Sequence, residues 1–324
     1  MTDREIVVAI EKLVDRQVAA EFDEDVCRAL RLTDPGSLYH GLVRRFDPAR
    51  KQEILALVAR LKGLEHLDLG KNRLEFIPDS FAELKELRVL LLDSNVLRTC
   101  PRWILALEKL EWLNLSVNEL TEVPPELSRC RGMKRLHLHK NLLTHFPESY
   151  AAFTQLDSLN LYLNKFPELP REVFGYQKLR YFAWGVSPLS VMPEELGSLQ
   201  NLEYLTFVAN QLDELPDSFC NLSRLVFVRL NKNRLRKLPR EFGRLSRLVQ
   251  LTLYQNRLDS LPESMADLKK LAKLNLSWNS FAGVPEVVSR IESLKWLAYF
   301  RNEPCDVSRF RRDGLALVTR YGES

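Results

Sequence analysis

The sequence predicts an α/β fold: a right-handed solenoid of near-identical units, with a parallel sheet on its concave side and helical caps at both ends. Three observations carry this. The block Leu110-x-x-Leu113-x-Leu115 returns with its first residue at Leu64, Leu87, Leu110, Met133, Leu156, Leu179, Leu202, Leu225, Leu248, Leu271 and Leu294, always 23 residues on. An asparagine column follows it at Asn72, Asn95, Asn118, Asn141, Asn164, Asn210, Asn233, Asn256, Asn279 and Asn302, with one break. A proline closes each strand and turn, from Pro78, Pro101 and Pro124 through to Pro285. No such unit can bury its apolar side alone, so stacked neighbours must complete the core.

Residues 1–62 carry no repeat and have apolar positions at helical spacing, which predicts an N-terminal helical cap over the first strand. Thr2 and Glu5 are spaced as a capping box, and Ile6, Ile10, Leu13 and Val14 line one face of a first helix. Asp23 to Leu32 reads as a second short helix, ended at Asp34-Pro35-Gly36, and Ser37 to Phe46 as a third. Asp47 caps a last helix with Pro48 in its first turn, and Ile54, Leu55, Leu57, Val58 and Leu61 turn toward the first repeat.

Residues 63–303 hold eleven units of 23 residues. The asparagine of each turns inward, where its amide satisfies backbone groups left unpaired by the bend. The proline fixes φ and starts a helical turn on the convex side. The unit at Leu179 is the exception: Ser187 replaces Asn, and Phe182 and Trp184 stand where Leu is usual. A larger aromatic core and a lost amide predict a local change there. Past Asn302 the pattern decays, and residues 304–324 read as a C-terminal cap with one final helix from Val307 to Arg320.

The unit with its closing Leu215-Pro216-Asp217-Ser218-Phe219 through Leu222 resembles the intracellular, 23-residue subclass of leucine-rich repeat proteins, known from Ras-pathway scaffolds, plant intracellular Ras-group proteins and bacterial repeat proteins. The resemblance spans about residues 64–302. It implies a horseshoe-shaped leucine-rich repeat solenoid and a protein-binding scaffold, without naming the partner. The cysteine-cluster caps of extracellular members are missing.

Composition agrees with a soluble chain. Apolar residues are 45% and charged residues 28%, and the net charge of +4 gives little push toward nucleic acid or anionic membrane. No stretch has the roughly 18 apolar residues of a membrane span. The charged start MTDREIVVAIEK is unlike a secretory signal, which predicts a cytoplasmic protein or one exported without a cleaved signal peptide. Cys27, Cys100, Cys130, Cys220 and Cys305 are scattered and odd in number, as reduced thiols are; Cys100 and Cys130 sit at apolar positions of the repeat.

Side chains alternate along a strand, so Leu113 and Leu115 point inward while Trp112, Asn114 and Ser116 point to the concave surface. The same register places Tyr181, Tyr204 and Phe227 on neighbouring strands as an aromatic ladder, the predicted binding site. Trp112, Tyr162, Tyr254, Trp278 and Trp296 extend it, and Arg229 and Lys232 supply polar specificity. The structural alternative is that these rings only pack on one another across strands.

No catalytic, cofactor or metal motif accompanies the repeats. His137 and His139 lie two apart on one strand, but their expected neighbours Asn114, Ser116, Asn160 and Tyr162 add no third strong ligand. Gly70-Lys71 lacks the rest of a phosphate loop, and GxSxG, HExxH and CxxC are absent. The prediction is a monomeric, non-catalytic scaffold that binds another protein or peptide. Single-stranded nucleic acid is the rival class, because Lys71, Arg135, Lys140, Arg229, Lys232, Arg234 and Arg301 interleave with aromatics; those charges are separated, and Asp68 and Asp93 stand among them. A third reading is the substrate-recognition module of an effector or ligase whose catalytic part lies elsewhere.

Overall fold

The structure, a computed structural model of the 324-residue chain, describes residues 1–32, 43, 46–302 and 314–319. The chain forms two compact units, Met1–Phe166 and Pro167–Ser324. In the first, helix α1 (Asp3–Val14) is followed by strands β1 (Ala19–Asp23) and β2 (Val26–Arg31), then helix α2 (Pro48–Val58). Five short strands follow at the repeat interval: β3 (His66–Asp68), β4 (Val89–Leu91), β5 (Trp112–Asn114), β6 (Arg135–His137) and β7 (Ser158–Asn160). β1 is antiparallel to β2; from β2 to β7 each strand is parallel to the next.

The second unit holds β8 (Tyr181–Gly185), β9 (Tyr204–Val208), β10 (Phe227–Arg229), β11 (Gln250–Thr252), β12 (Lys273–Asn275), a one-turn helix α3 (Glu286–Ser289), β13 (Trp296–Ala298) and β14 (Ala316–Val318). All its strands run parallel in sequence order. In nearly every strand the middle residue is buried and its neighbours are partly open, so Leu67, Leu90, Leu113, Leu136 and Leu159 form one core row and Leu205, Val228, Leu251, Leu274 and Leu297 another. The predicted register of the repeat is the observed one.

Opposite the strands, the returning segments are 3-10 turns. The carbonyl of Pro78 accepts from Phe81 N–H, that of Phe81 from Leu84, and that of Leu84 from Leu87. Phe81, Leu84 and Leu87 are all fully buried. An apolar spacing of three matches the 3.0 residues per turn of this helix, whereas an α-helix would swing every third residue away from the core. The proline stands one place earlier than expected: Pro78, with φ −59° and ψ 143°, precedes the turn instead of opening it.

The asparagine column is the interior brace. Asn118 Nδ2 donates to the Leu92 and Leu115 carbonyls at 3.0 Å, and its Oδ1 accepts from Leu97 N–H at 3.0 Å. Asn95, Asn141, Asn233, Asn256 and Asn279 repeat this arrangement. At the break, Ser187 Oγ takes only local partners, Leu189 N–H and Trp184 Nε1–H, both at 3.2 Å. Asn210 in the next unit is left buried with neither Oδ1 nor Nδ2 bonded, and β8 and β9 pair over five residues instead of three.

The caps depart from the sequence reading. The capping box Thr2/Glu5, the buried Ile6, Ile10 and Val14, and the Asp47 cap of α2 are as predicted. The helix expected over Asp23–Leu32 is instead the hairpin of β1 and β2, with Glu24 in the left-handed region (φ 54°) at its turn. Val26, Cys27, Arg28 and Ala29 alternate between open and buried, a period of two, before Leu30 is buried too. β2 also offers its edge to β3, a pairing that local helix propensity cannot match. At the other end β14 falls inside the predicted Val307–Arg320 helix and pairs with β13; the rest of that segment, apart from 314, 315 and 319, lies outside the described residues. So does the helix expected over Ser37–Phe46, except Val43 and Phe46.

Candidate functional site

The strand residues flanking each buried leucine form the open face of the sheet, and each unit carries its own set. In the 1–166 unit, Trp112 lies half-buried with the Arg135 guanidinium 5.0 Å over its ring and His137 edge-on at 6.3 Å. Its indole N–H is buried without an acceptor. His137 Nε2 is 2.8 Å from Ser158 Oγ. Burial first, then the neighbouring His139 and Arg135, push the His137 imidazole down to about 4, so it is neutral at physiological pH. Asp93 shows the opposite effect: burial and the adjacent Asp68 raise its carboxyl. Among the described residues no group of three or more His, Cys, Asp or Glu is placed to hold a metal.

Two of the residues expected on the concave surface, Ser116 and Asn114, are scaffold instead. Ser116 is fully buried, as is its column-mate Ser277. Asn114 Oδ1 accepts from Ser116 N–H at 3.1 Å while its Nδ2 donates to Asp93 Oδ1 at 3.0 Å. Asp68, Asn160 and Asn275 brace the same turn by accepting from the N–H two residues on. The strand has ended by this point, so strict alternation no longer decides direction, and short polar side chains fold back on the backbone. Tyr162, expected on the ladder, sits half-buried at this turn position after β7.

In the 167–324 unit the outward row reads Tyr181, Tyr204, Phe227, Gln250, Lys273 and Trp296 by strand register. Tyr204 and Phe227 stack at 5.0 Å between centroids and 10° between planes, and Tyr181 and Tyr204 are tilted at 6.4 Å and 36°. The predicted ladder is therefore one contiguous group of rings. Tyr204 remains 40% exposed, a large aromatic area for a residue in the middle of a sheet. Burial raises the Tyr181 hydroxyl, and the nearby positive Arg229 offsets this in part. Arg229 is exposed on the row beside Phe227.

The other expected members are placed differently. Trp296 shares the ladder's row but is separated from Phe227 by Gln250 and Lys273. Tyr254 is half-buried in the turn after β11. Lys232 and Trp278 are not strand residues: each has positive φ, 56° and 58°, in the turn before the asparagine. Lys71, Ser94, Val117, Lys140, Leu163, Val186, Ala209, Gln255 and Arg301 share that conformation, a column the sequence did not disclose because none is glycine. Trp278 is 41% exposed and lies 5.0 Å beneath the Arg301 guanidinium.

The family comparison now bears on this geometry. A model described as "Leucine rich repeat" matches residues 56–97, 108–166 and 228–281. The chain is a leucine-rich repeat protein. Comparison with curated protein sequences gives no match. Among solved structures, this leucine-rich repeat chain is similar to a leucine-rich repeat protein of Leptospira interrogans, with 28% identity, a TM-score of 0.74, and 81% of this chain and 74% of that one covered. It is also similar to the Arabidopsis receptor kinase HAESA ectodomain, solved with an extended IDA peptide hormone ligand, at 26% identity and TM-score 0.64 over 76% of this chain. That match spans 48% of the receptor chain, about half its length. An internalin of Listeria monocytogenes, 18% identical with TM-score 0.75 over 99% of this chain and 96% of its own, shares the fold. No helix among the described residues is long and apolar enough to cross a membrane.

Proposed function

We propose that this leucine-rich repeat protein is a non-catalytic binding scaffold that takes a protein or peptide partner on the concave, open face of its 167–324 unit. The observation that carries the reading is the contiguous ring group Tyr181, Tyr204 and Phe227, with Tyr204 40% exposed. Aromatic rings contribute large contact area at small entropic cost, and truncating a hot one typically costs about 2 kcal/mol, roughly 30-fold in affinity. Peptide-bound relatives such as the HAESA ectodomain support the class of partner. Tyr254, Trp278 and Trp296, with Arg229 and Lys232, belong to the wider surface under this reading, while Trp112 and Tyr162 are candidate contacts on the 1–166 unit's own open face.

The same proposal includes the 23-residue intracellular subclass, a monomeric cytoplasmic protein, an N-terminal cap over 1–62, repeats over 63–303 and a C-terminal cap over 304–324. The test is quantitative recovery of partners from the native host on the wild-type chain and on Tyr204→Ala/Phe227→Ala, with folding checked by circular dichroism. Loss of a specific partner on the double variant is expected. Recovery of the same partners in the same amounts would sink the proposal.

A further inference from the structure

We propose that the open face of the 167–324 unit recognises an acidic peptide, a segment carrying carboxylates beside apolar or aromatic side chains. This rests on the reading of that face as the binding surface and adds the chemistry of what binds there.

The observation is a one-sided charge pattern. Arg229, Lys232, Lys273 and Arg301 are exposed on the strands and turns of β10–β13, and none has an ion-pair partner among the described residues. No Asp or Glu occupies the outward strand rows or the turn columns from β8 to β13. Other cations are either paired, as Arg180 is with Glu203 at 2.8 Å and Lys134 with Glu111 at 2.6 Å, or without an ion-pair partner among the described residues, as Arg234 and Arg257 are; what sets this face apart is that its cations share it with no carboxylate. An unpaired cation group around exposed rings is complementary to carboxylates, and such complementarity sets specificity and speeds encounter. Arg229 and Lys273 lie two strands and one row apart, about 12 Å, which an extended peptide spans with carboxylates three or four residues apart.

The face of the 1–166 unit is mixed: Asp68 and Asp93 stand on it among Lys71, Arg135 and Lys140, so it lacks the one-sided positive character of the other face. Nucleic acid, the other polyanion, needs free ring faces for its bases. Here Tyr204 and Phe227 are stacked on each other at 10°, and the Trp278 ring lies under Arg301. Those rings offer edges and rims, which suit side-chain packing better than base stacking.

The experiment selects random short peptides displayed on phage against the full chain, then measures the enriched peptides by fluorescence anisotropy on wild type, Arg229→Ala/Lys273→Ala and Tyr204→Ala/Phe227→Ala, each confirmed folded. The expected result is peptides rich in Asp and Glu with an apolar residue nearby, binding about tenfold more weakly to the charge variant and losing affinity with added salt. Peptides without acidic enrichment that still fail on the aromatic variant overturn the acidic proposal and leave the binding face standing. Peptides that bind both variants as they bind wild type overturn the face itself. No enriched peptide at all overturns a short linear ligand, and displacement of the peptides by an oligothymidylate assigns the cations to nucleic acid instead.

Discussion

Asn118 and Asn210 occupy the same position in their units and meet opposite fates. Asn118 holds three backbone groups, whereas Asn210 is buried with its amide unpaired; the Leu189 N–H that its Oδ1 would accept from donates to Ser187 Oγ instead. Asn118→Ala is therefore expected to cost about 2–3 kcal/mol, since it leaves buried carbonyls and an N–H unsatisfied. Asn210→Leu is expected to be neutral or stabilising, since it removes a buried polar group that has no partner. Urea unfolding of the two variants checks both signs. His137 sets a pH dependence of its own. Its folded value of about 4 lies below the usual 6.5, so protons favour the unfolded chain, and its contribution, up to about 3 kcal/mol, is complete above pH 6.5 and lost as pH falls toward 4. Urea titrations from pH 7 to 4.5 should show a shallower slope in His137→Gln than in wild type, the remainder including His66 and His139, which burial also lowers. The inward role of the asparagines was legible from their spacing; the orphaned Asn210 was not, because it depends on which bonds Ser187 can reach.

At the scale of elements, several features set within one turn or one unit are legible in the sequence. The capping box of α1, the Asp47 and Pro48 start of α2, and the alternation of each repeat strand are set by residues within one turn or one unit. The β1–β2 hairpin was missed because its stability comes from an edge supplied by β3, some forty residues on. Close packing of the returning turns was missed as well. Gly243 lies so near Ser264 that a Cβ there would come within 2.0 Å of the Ser264 carbonyl oxygen, and one at Gly197 within 2.5 Å of that of Ser218. Backbone cannot yield as a flexible side chain does, so Gly243→Ala is expected to destabilise by about 2 kcal/mol or more. Thermal unfolding checks it, and an unchanged midpoint would mean that the turns can separate at little cost.

For the molecule as a whole, the period settles the fold, but only the folded chain separates the open-face residues that brace turns from those whose rings form the partly exposed row. Ser116 and Asn114 fell in the first group and the Tyr204 row in the second, although sequence alternation treated them alike. The interior also carries four of the cysteines. Cys27, Cys130 and Cys220 are pushed up to about 11 and Cys100 to about 12, chiefly by burial. In a Cys305→Ala background these four should resist a colorimetric thiol reagent at neutral pH and all react after unfolding; rapid reaction of any of them in the native chain would contradict the packing described.

The claim on which the rest turns is that inward residues make the solenoid and the Tyr204–Phe227 row makes the contact. It is tested most directly by the dissociation constant of a selected peptide or purified partner, measured by titration calorimetry on wild type and on Tyr204→Ala and Phe227→Ala separately. About 30-fold weaker binding is expected for either variant, with the circular dichroism spectrum unchanged. Equal affinity in correctly folded variants would contradict it and return these rings to the role of cross-strand packing alone.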